Sequence, residues 1–388
     1  MIEKYLKGAA VLFFSLSVSS MAQGFGGFGG FGGDQSGSTS IEYSEKFADL
    51  DYVGDKAKGH LMDIYLPKET KDSYPVVAHF YGSAWSMNDY KGSADLNTIC
   101  AALLKKGFAV AVPNYRSYSD SVYPAQIHDV KAAIRFLRGN ASKYKLDTSF
   151  VGTSGFSSGA QLSALAAVTN GMKEGSSGSV TVDLEGSLGE FTDFSSRVDA
   201  ECAWSGPHYL VVSGGSQFEE GFIGVKRSGN EDKWKVAEPA TYADKDDPPF
   251  LLFHGTSDQI VSTDQSEKLD KALKDAGAQS EFVSVAGGQH GSGGMYDQGN
   301  LDKMTKFFSD ALEARKALVI SPTDTTNKTD STTTADSTTA KDSSTTAVFA
   351  PKNIRLIQPT SGKIYKVNGA EAKPTYRNKA IIRTLIRF

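Results

Sequence analysis

The chain reads as an α/β domain, a mostly parallel central sheet with helices on both faces. Two observations carry that reading. Between residues 42 and 318, short apolar runs bounded by Gly or Pro alternate with runs of helical periodicity. The segment Gly155-Phe156-Ser157-Ser158-Gly159 then falls directly after a strand-like run and directly before a helix-like one, where a strand hands the chain to a crossover helix.

Taken in order, residues 75–81 (PVVAHFY) form the first core strand and 96–106 a helix. Strand 108–113 (FAVAVP) and helix 125–137 follow, then strand 149–155 and helix 160–169. Residues 198–204 and 249–254 (PFLLFH) are the next strands, 266–276 a helix, and 281–286 (EFVSVA) a last strand-like run.

The ends differ in kind from this body. Lys4 and Lys7 precede the apolar run 9–18, and Ser20-Met21-Ala22 presents small residues at a cleavage site, so 1–22 reads as an export signal and the chain as secreted or cell-surface. No cysteine follows the run to take a lipid, and nothing later approaches the twenty or so apolar residues of a membrane span. Residues 23–41 form a Gly/Phe-rich linker and 319–350 a Ser/Thr/Asp-rich one, with too little apolar surface to offset chain entropy. The last 38 residues, 351–388, carry nine Lys/Arg and one acid, whereas the first 350 carry a net −12. This basic tail is a candidate for surface or polymer contact.

Composition excludes several classes. A formal charge of −4 over 388 residues gives no overall basic field for nucleic acid. Two cysteines, Cys100 and Cys202, make neither a disulfide framework nor a zinc spacing; they read as separately buried thiols, with a single bridge between them left open. No H-E-x-x-H, calcium-loop or phosphate-loop pattern occurs, so neither metal nor cofactor is expected.

The G-x-S-x-G segment carries the chemistry. Its turn must be sharp enough to lift a serine hydroxyl above the sheet, and side chains at Gly155 or Gly159 would collide with the neighbouring strand and helix. Ser157 then stands at a helix N-terminus, where free N–H groups favour a developing oxyanion. A nucleophilic serine in this setting demands an acid and a histidine later in the chain, in that order. Asp258 follows PFLLFH at a strand exit, and His290, in Gly287-Gly288-Gln289-His290-Gly291, is the only histidine after it. Besides the N–H of Ser158, oxyanion donors are expected from the loop after the first core strand, at Ser83 and Ala84.

Met62-Asp63-Ile64-Tyr65-Leu66-Pro67, YGSAW at 81–85, Asn114-Tyr115-Arg116, Tyr123-Pro124-Ala125 leading to Asp129-Val130, GFSSG, Pro248-Pro249 with HGTSD, and GGQHG occur in that order. In these residues the body, about 45–315, resembles the α/β-hydrolase esterases of the acetyl xylan and feruloyl esterase-like group and the hormone-sensitive-lipase-like carboxylesterases. The resemblance implies hydrolysis of carboxylic esters through an acyl-serine on Ser157, with Asp258 and His290 as partners. Tyr81 stands where that family usually has histidine and Ser83 where it has a second glycine; a side chain at Ser83 restricts the backbone there.

Residues 171–197 are rich in Gly and Ser and hold no long amphipathic helix, so no large lipid-type lid is expected. An open site suits an acyl group displayed on a polymer, which points to acetyl or feruloyl esters of plant cell-wall polysaccharide. Two other readings stay open at this level: a serine peptidase or short-chain lipase of the same fold, and a secreted binding protein whose hydrolase body is impaired by the altered 81–85 loop.

Overall fold

The computed structural model describes residues 41–93, 95–210 and 216–320. The expected export signal, the 23–41 linker up to residue 40, the 319–350 linker beyond residue 320 and the basic tail lie outside the described residues. The elements are β1 (Glu45–Asp51), β2 (Leu61–Leu66), β3 (Tyr74–Phe80), α1 (Ala101–Lys106), β4 (Ala109–Pro113), α2 (Ala125–Gly139), β5 (Leu146–Phe156), α3 (Ser158–Val168), β6 (Glu174–Ser177), β7 (Val180–Asp183), β8 (Ala200–Trp204), α4 (Gln217–Ile223), α5 (Glu231–Lys235), β9 (Phe250–Gly255), α6 (Asp264–Ala276), β10 (Ser280–Val285) and α7 (Gln298–Ile320).

All six strand-like runs belong to one eight-stranded sheet of order β1-β2-β4-β3-β5-β8-β9-β10. From β4 to β10 the neighbours are parallel, while β2 pairs antiparallel with both β1 and β4. Every residue of β4, β8 and β9 is buried, which explains their largely apolar runs, broken only by Glu201 in β8 and His254 in β9. β1 is the edge, and its partly exposed residues carry charges that blunt it against further pairing.

Alternation along β5 separates the two faces. A side chain at Gly152 would run into Phe308 of α7, whereas Thr153 bonds Glu201 beneath Ser163 of α3. The helix expected over 96–106 begins as a π-turn, Leu96–Cys100, before α1. Helix α7 runs two residues into the expected second linker. Cys100 and Cys202 are separate buried thiols, unbridged, and burial pushes both pKa values up.

Residues 171–197 form the small hairpin β6/β7, followed by a loop tied down by Glu185. Its carboxylate meets Arg135 Nη1 at 2.5 Å and Lys131 Nζ at 3.2 Å, both cations buried on α2. Among the described residues no helix is long and apolar enough to cross a membrane.

Candidate active site

Ser157 sits between β5 and α3 with φ 52° and ψ −123°, a backbone conformation rarely tolerated outside glycine. Its N–H donates to Trp204 O at 2.9 Å, fixing the turn to the end of β8. The flanking glycines are required by close approach. A Cβ on Gly155 would lie 2.3 Å from Gly159 O, and one on Gly159 would lie 2.1 Å from Phe80 O. Gly82 meets the same constraint from the other side, since a Cβ there would stand 2.6 Å from Ser157 Cβ.

The loops after β9 and β10 bring Asp258 and His290 to this serine. Ser157 Oγ lies 2.9 Å from His290 Nε2, and His290 Nδ1 lies 2.8 Å from Asp258 Oδ2. A carboxylate accepts only, so Nδ1 carries the imidazole proton and Nε2 faces the serine hydroxyl as acceptor. The Asp258 side chain is fully buried and that of His290 7% exposed, which strengthens both bonds. The Phe156 ring packs 4.8 Å from the imidazole.

Asp258 is itself held in place. Oδ1 accepts the N–H groups of Ile260 and Val261, each at 2.9 Å, and His254 Nε2 stands 3.4 Å from Oδ2. His254 Nε2 donates to Val261 O at 2.9 Å, while Ser266 Oγ donates to its Nδ1 at 2.8 Å, so its tautomer is set. Burial pushes the Asp258 carboxyl up, but hydrogen bonds from His254 and His290 outweigh it and hold the carboxyl well below the usual carboxylate range. Sequence reasoning missed His254, because it precedes Asp258 and so fails the order required of a base.

The oxyanion loop departs from expectation at one position. Ser83 was expected to offer its N–H to the substrate, but that N–H donates to Ser158 Oγ at 2.9 Å. The hydroxyl of Ser158 thus captures the amide. Ala84, at φ 50°, follows in the same turn. Trp85 anchors the loop's far end: its indole N–H donates to Gln161 Oε1 at 3.1 Å and its ring stacks on Phe222 of α4 at 4.4 Å. The segment between β8 and β9, rather than 171–197, therefore supplies the wall beside this loop.

The BD-FAE family model matches residues 62–273, a stretch that holds Ser157 and Asp258. The chain belongs to the BD-FAE family. As a BD-FAE member it shares the α/β-hydrolase architecture of solved structures. A truncated form of a carbohydrate esterase from gut microbiota superposes with a TM-score of 0.68 and 43% identity, covering 71% of this chain and 99% of that one. A bifunctional GH43-CE protein of Bacteroides eggerthii gives a TM-score of 0.66 and 46% identity, covering 69% and 38%. Esterase LipQ of Mycobacterium tuberculosis is 28% identical over 244 residues, which span 61% of this chain and 54% of LipQ. The chain thus spans about half the length of the curated relatives it matches.

Proposed function

We propose that this BD-FAE member is an exported serine carboxylic-ester hydrolase that removes acetyl or feruloyl groups from plant cell-wall polysaccharide. The observation that carries the reading is the unbroken hydrogen-bonded chain from Ser157 Oγ through His290 to the buried Asp258. The carbohydrate-esterase neighbours support a saccharide-borne ester, and the N-terminal export pattern supports action outside the cell.

In this mechanism His290 Nε2 takes the Ser157 proton as Oγ attacks the ester carbonyl, and Asp258 stabilises the imidazolium that forms. The N–H groups of Ala84 and Ser158 receive the oxyanion at the positive end of α3. His290 then protonates the departing alcohol oxygen, leaving an acyl-serine. Water, deprotonated by the same imidazole, releases the acid and restores Ser157.

Hydrolysis of p-nitrophenyl acetate, methyl ferulate and acetylated xylan by the purified protein tests the reading. Acetate or ferulate release is expected, with Ser157→Ala lowering turnover by about 10³-fold or more and leaving the fold intact. Turnover confined to long-chain glycerides would overturn the substrate assignment.

A further inference from the structure

We propose that Tyr115 is a positioning residue whose single hydroxyl locks together the two halves of the oxyanion site. The proposal rests on the serine-esterase reading and assigns a role that the triad does not include. Tyr115 follows β4 and is wholly buried. Its oxygen lies 2.8 Å from Tyr81 O, 3.2 Å from Ser83 Oγ and 3.2 Å from Ser158 Oγ.

A phenol has one proton, and a carbonyl oxygen can only accept it. That proton therefore goes to Tyr81 O, and the two serine hydroxyls donate to the phenol oxygen. Ser158 Oγ, its own proton spent, uses a lone pair to accept the N–H of Ser83. The result is a closed network in which each buried polar atom is satisfied. It ties loop 81–85 to the first residue of α3. The aromatic rings reinforce it, since Tyr81 stacks on Tyr115 at 4.6 Å and 18° and its own hydroxyl donates to Met87 O at 3.1 Å.

This network accounts for the two departures from the family pattern in this loop. Tyr81 supplies the aromatic ring that stacks on Tyr115, beside a backbone carbonyl that any residue there would offer, and Ser83 supplies a hydroxyl that glycine lacks. What a glycine-rich loop achieves by conformational freedom, this chain achieves with a buried hydrogen-bond hub. Both proposed donors are attached to it: Ala84 is the next residue after Ser83, and Ser158 belongs to the hub itself. Oxyanion stabilisation depends on donors held within hydrogen-bond reach of the charge that develops, so slack in the hub degrades the transition state more than the bound ester.

The test uses Tyr115→Phe, Ser83→Ala and their double variant, assayed for kcat and KM on p-nitrophenyl acetate. The affinity of a trifluoromethyl ketone, whose hemiketal oxyanion needs the same donors, and Tm are measured alongside. Tyr115→Phe is expected to lower kcat by about 10- to 100-fold with KM within about twofold, and to weaken the ketone in parallel with kcat/KM. Because the two residues act as one unit, the double variant falls within about threefold of Tyr115→Phe. Unchanged kcat/KM and ketone affinity beside a lowered Tm overturn the proposal, as do fully additive losses. Should Tyr115→Phe fail to fold, Ser83→Ala alone decides, with a loss of about threefold or more in kcat expected and an unchanged kcat contradicting it. Ser157→Ala separates the claims. Activity that survives it overturns the esterase reading and this role together, whereas activity that needs Ser157 but ignores the hub overturns the role alone.

Discussion

At Gly82 a single hydrogen atom is all that the site accommodates. A methyl group there would press on Ser157 Cβ at 2.6 Å and on Phe156 O at 2.9 Å, and neither can retreat without moving the nucleophile turn. Gly82→Ala is expected to lower kcat/KM by about 10²-fold while the far-UV circular dichroism stays native, because a displacement of about an ångström is enough to spoil attack geometry. Wild-type kinetics in this variant would show that the turn is softer than the contacts imply. The same scale explains what sequence reveals about a site. Ser157, Asp258 and His290 were legible because chemistry imposes an order and a strand-exit position on each. Tyr115, His254 and the amide of Ser83 were not, because their roles follow from contacts between residues remote in the chain, such as Ser83 with Ser158, 75 positions apart. No local pattern reports such a contact.

Among the elements, helix α2 shows how a polar helix face becomes structural. Lys131 and Arg135 are buried to 0% and 1% side-chain exposure and converge on Glu185, which also accepts from Ser196 Oγ at 2.8 Å. Burial pushes the Lys131 pKa down despite this partner. Glu185→Ala would strand two buried cations, and losing one partner of a buried pair costs about 3–5 kcal/mol. A stability loss near the lower end of that range is expected in urea unfolding, because Glu185 is itself a quarter exposed, with turnover per folded molecule unchanged. A loss below about 1 kcal/mol would mean that water rescues the cations.

Several parts of the fold that sequence left unread share this polar character, although the buried strand β2 (LMDIYL), also unread, does not. The central strands announced themselves as short, largely apolar runs bounded by Gly or Pro. The edge strand β1 (EKFADLD), the short helix α5 and the hairpin β6/β7 carry charges or small polar residues at most positions, and the short α4 is interrupted by Gln217, Glu219 and Glu220. A tertiary contact, the stack of Phe222 on Trp85, holds α4 in place, and the local Ser216–Glu219 capping box starts it. The α/β class was therefore readable from burial on both faces, while the wall beside the oxyanion loop was not.

Across the whole molecule, one buried carboxyl couples stability to pH. Glu201 on β8 is fully buried under α3, bonded by Thr153 Oγ1 at 2.5 Å and Ser163 Oγ at 2.6 Å, with no ion-pair partner among the described residues. Burial pushes its pKa up from 4.5 to about 8, outweighing those two hydrogen bonds. Between these values the unfolded chain releases a proton that the folded chain keeps, so this group's contribution is full below about 4.5, falls as pH rises, and levels off above about 8. The slope cannot exceed about 1.4 kcal/mol per pH unit for one proton. Glu201→Gln removes the titration, and its unfolding free energy is expected to vary less between acid and neutral pH than the parent's. Parallel curves for the two proteins would contradict the assignment.

The serine reading itself is tested most directly by trapping the intermediate it requires. Rapid mixing with p-nitrophenyl acetate, followed by acid quench and peptide mass mapping, should show a burst of nitrophenol. One acetyl group per chain should be found on the peptide bearing Ser157, and both burst and adduct should be absent in Ser157→Ala. An acetyl group on another residue, or a burst undiminished by Ser157→Ala, would contradict the account.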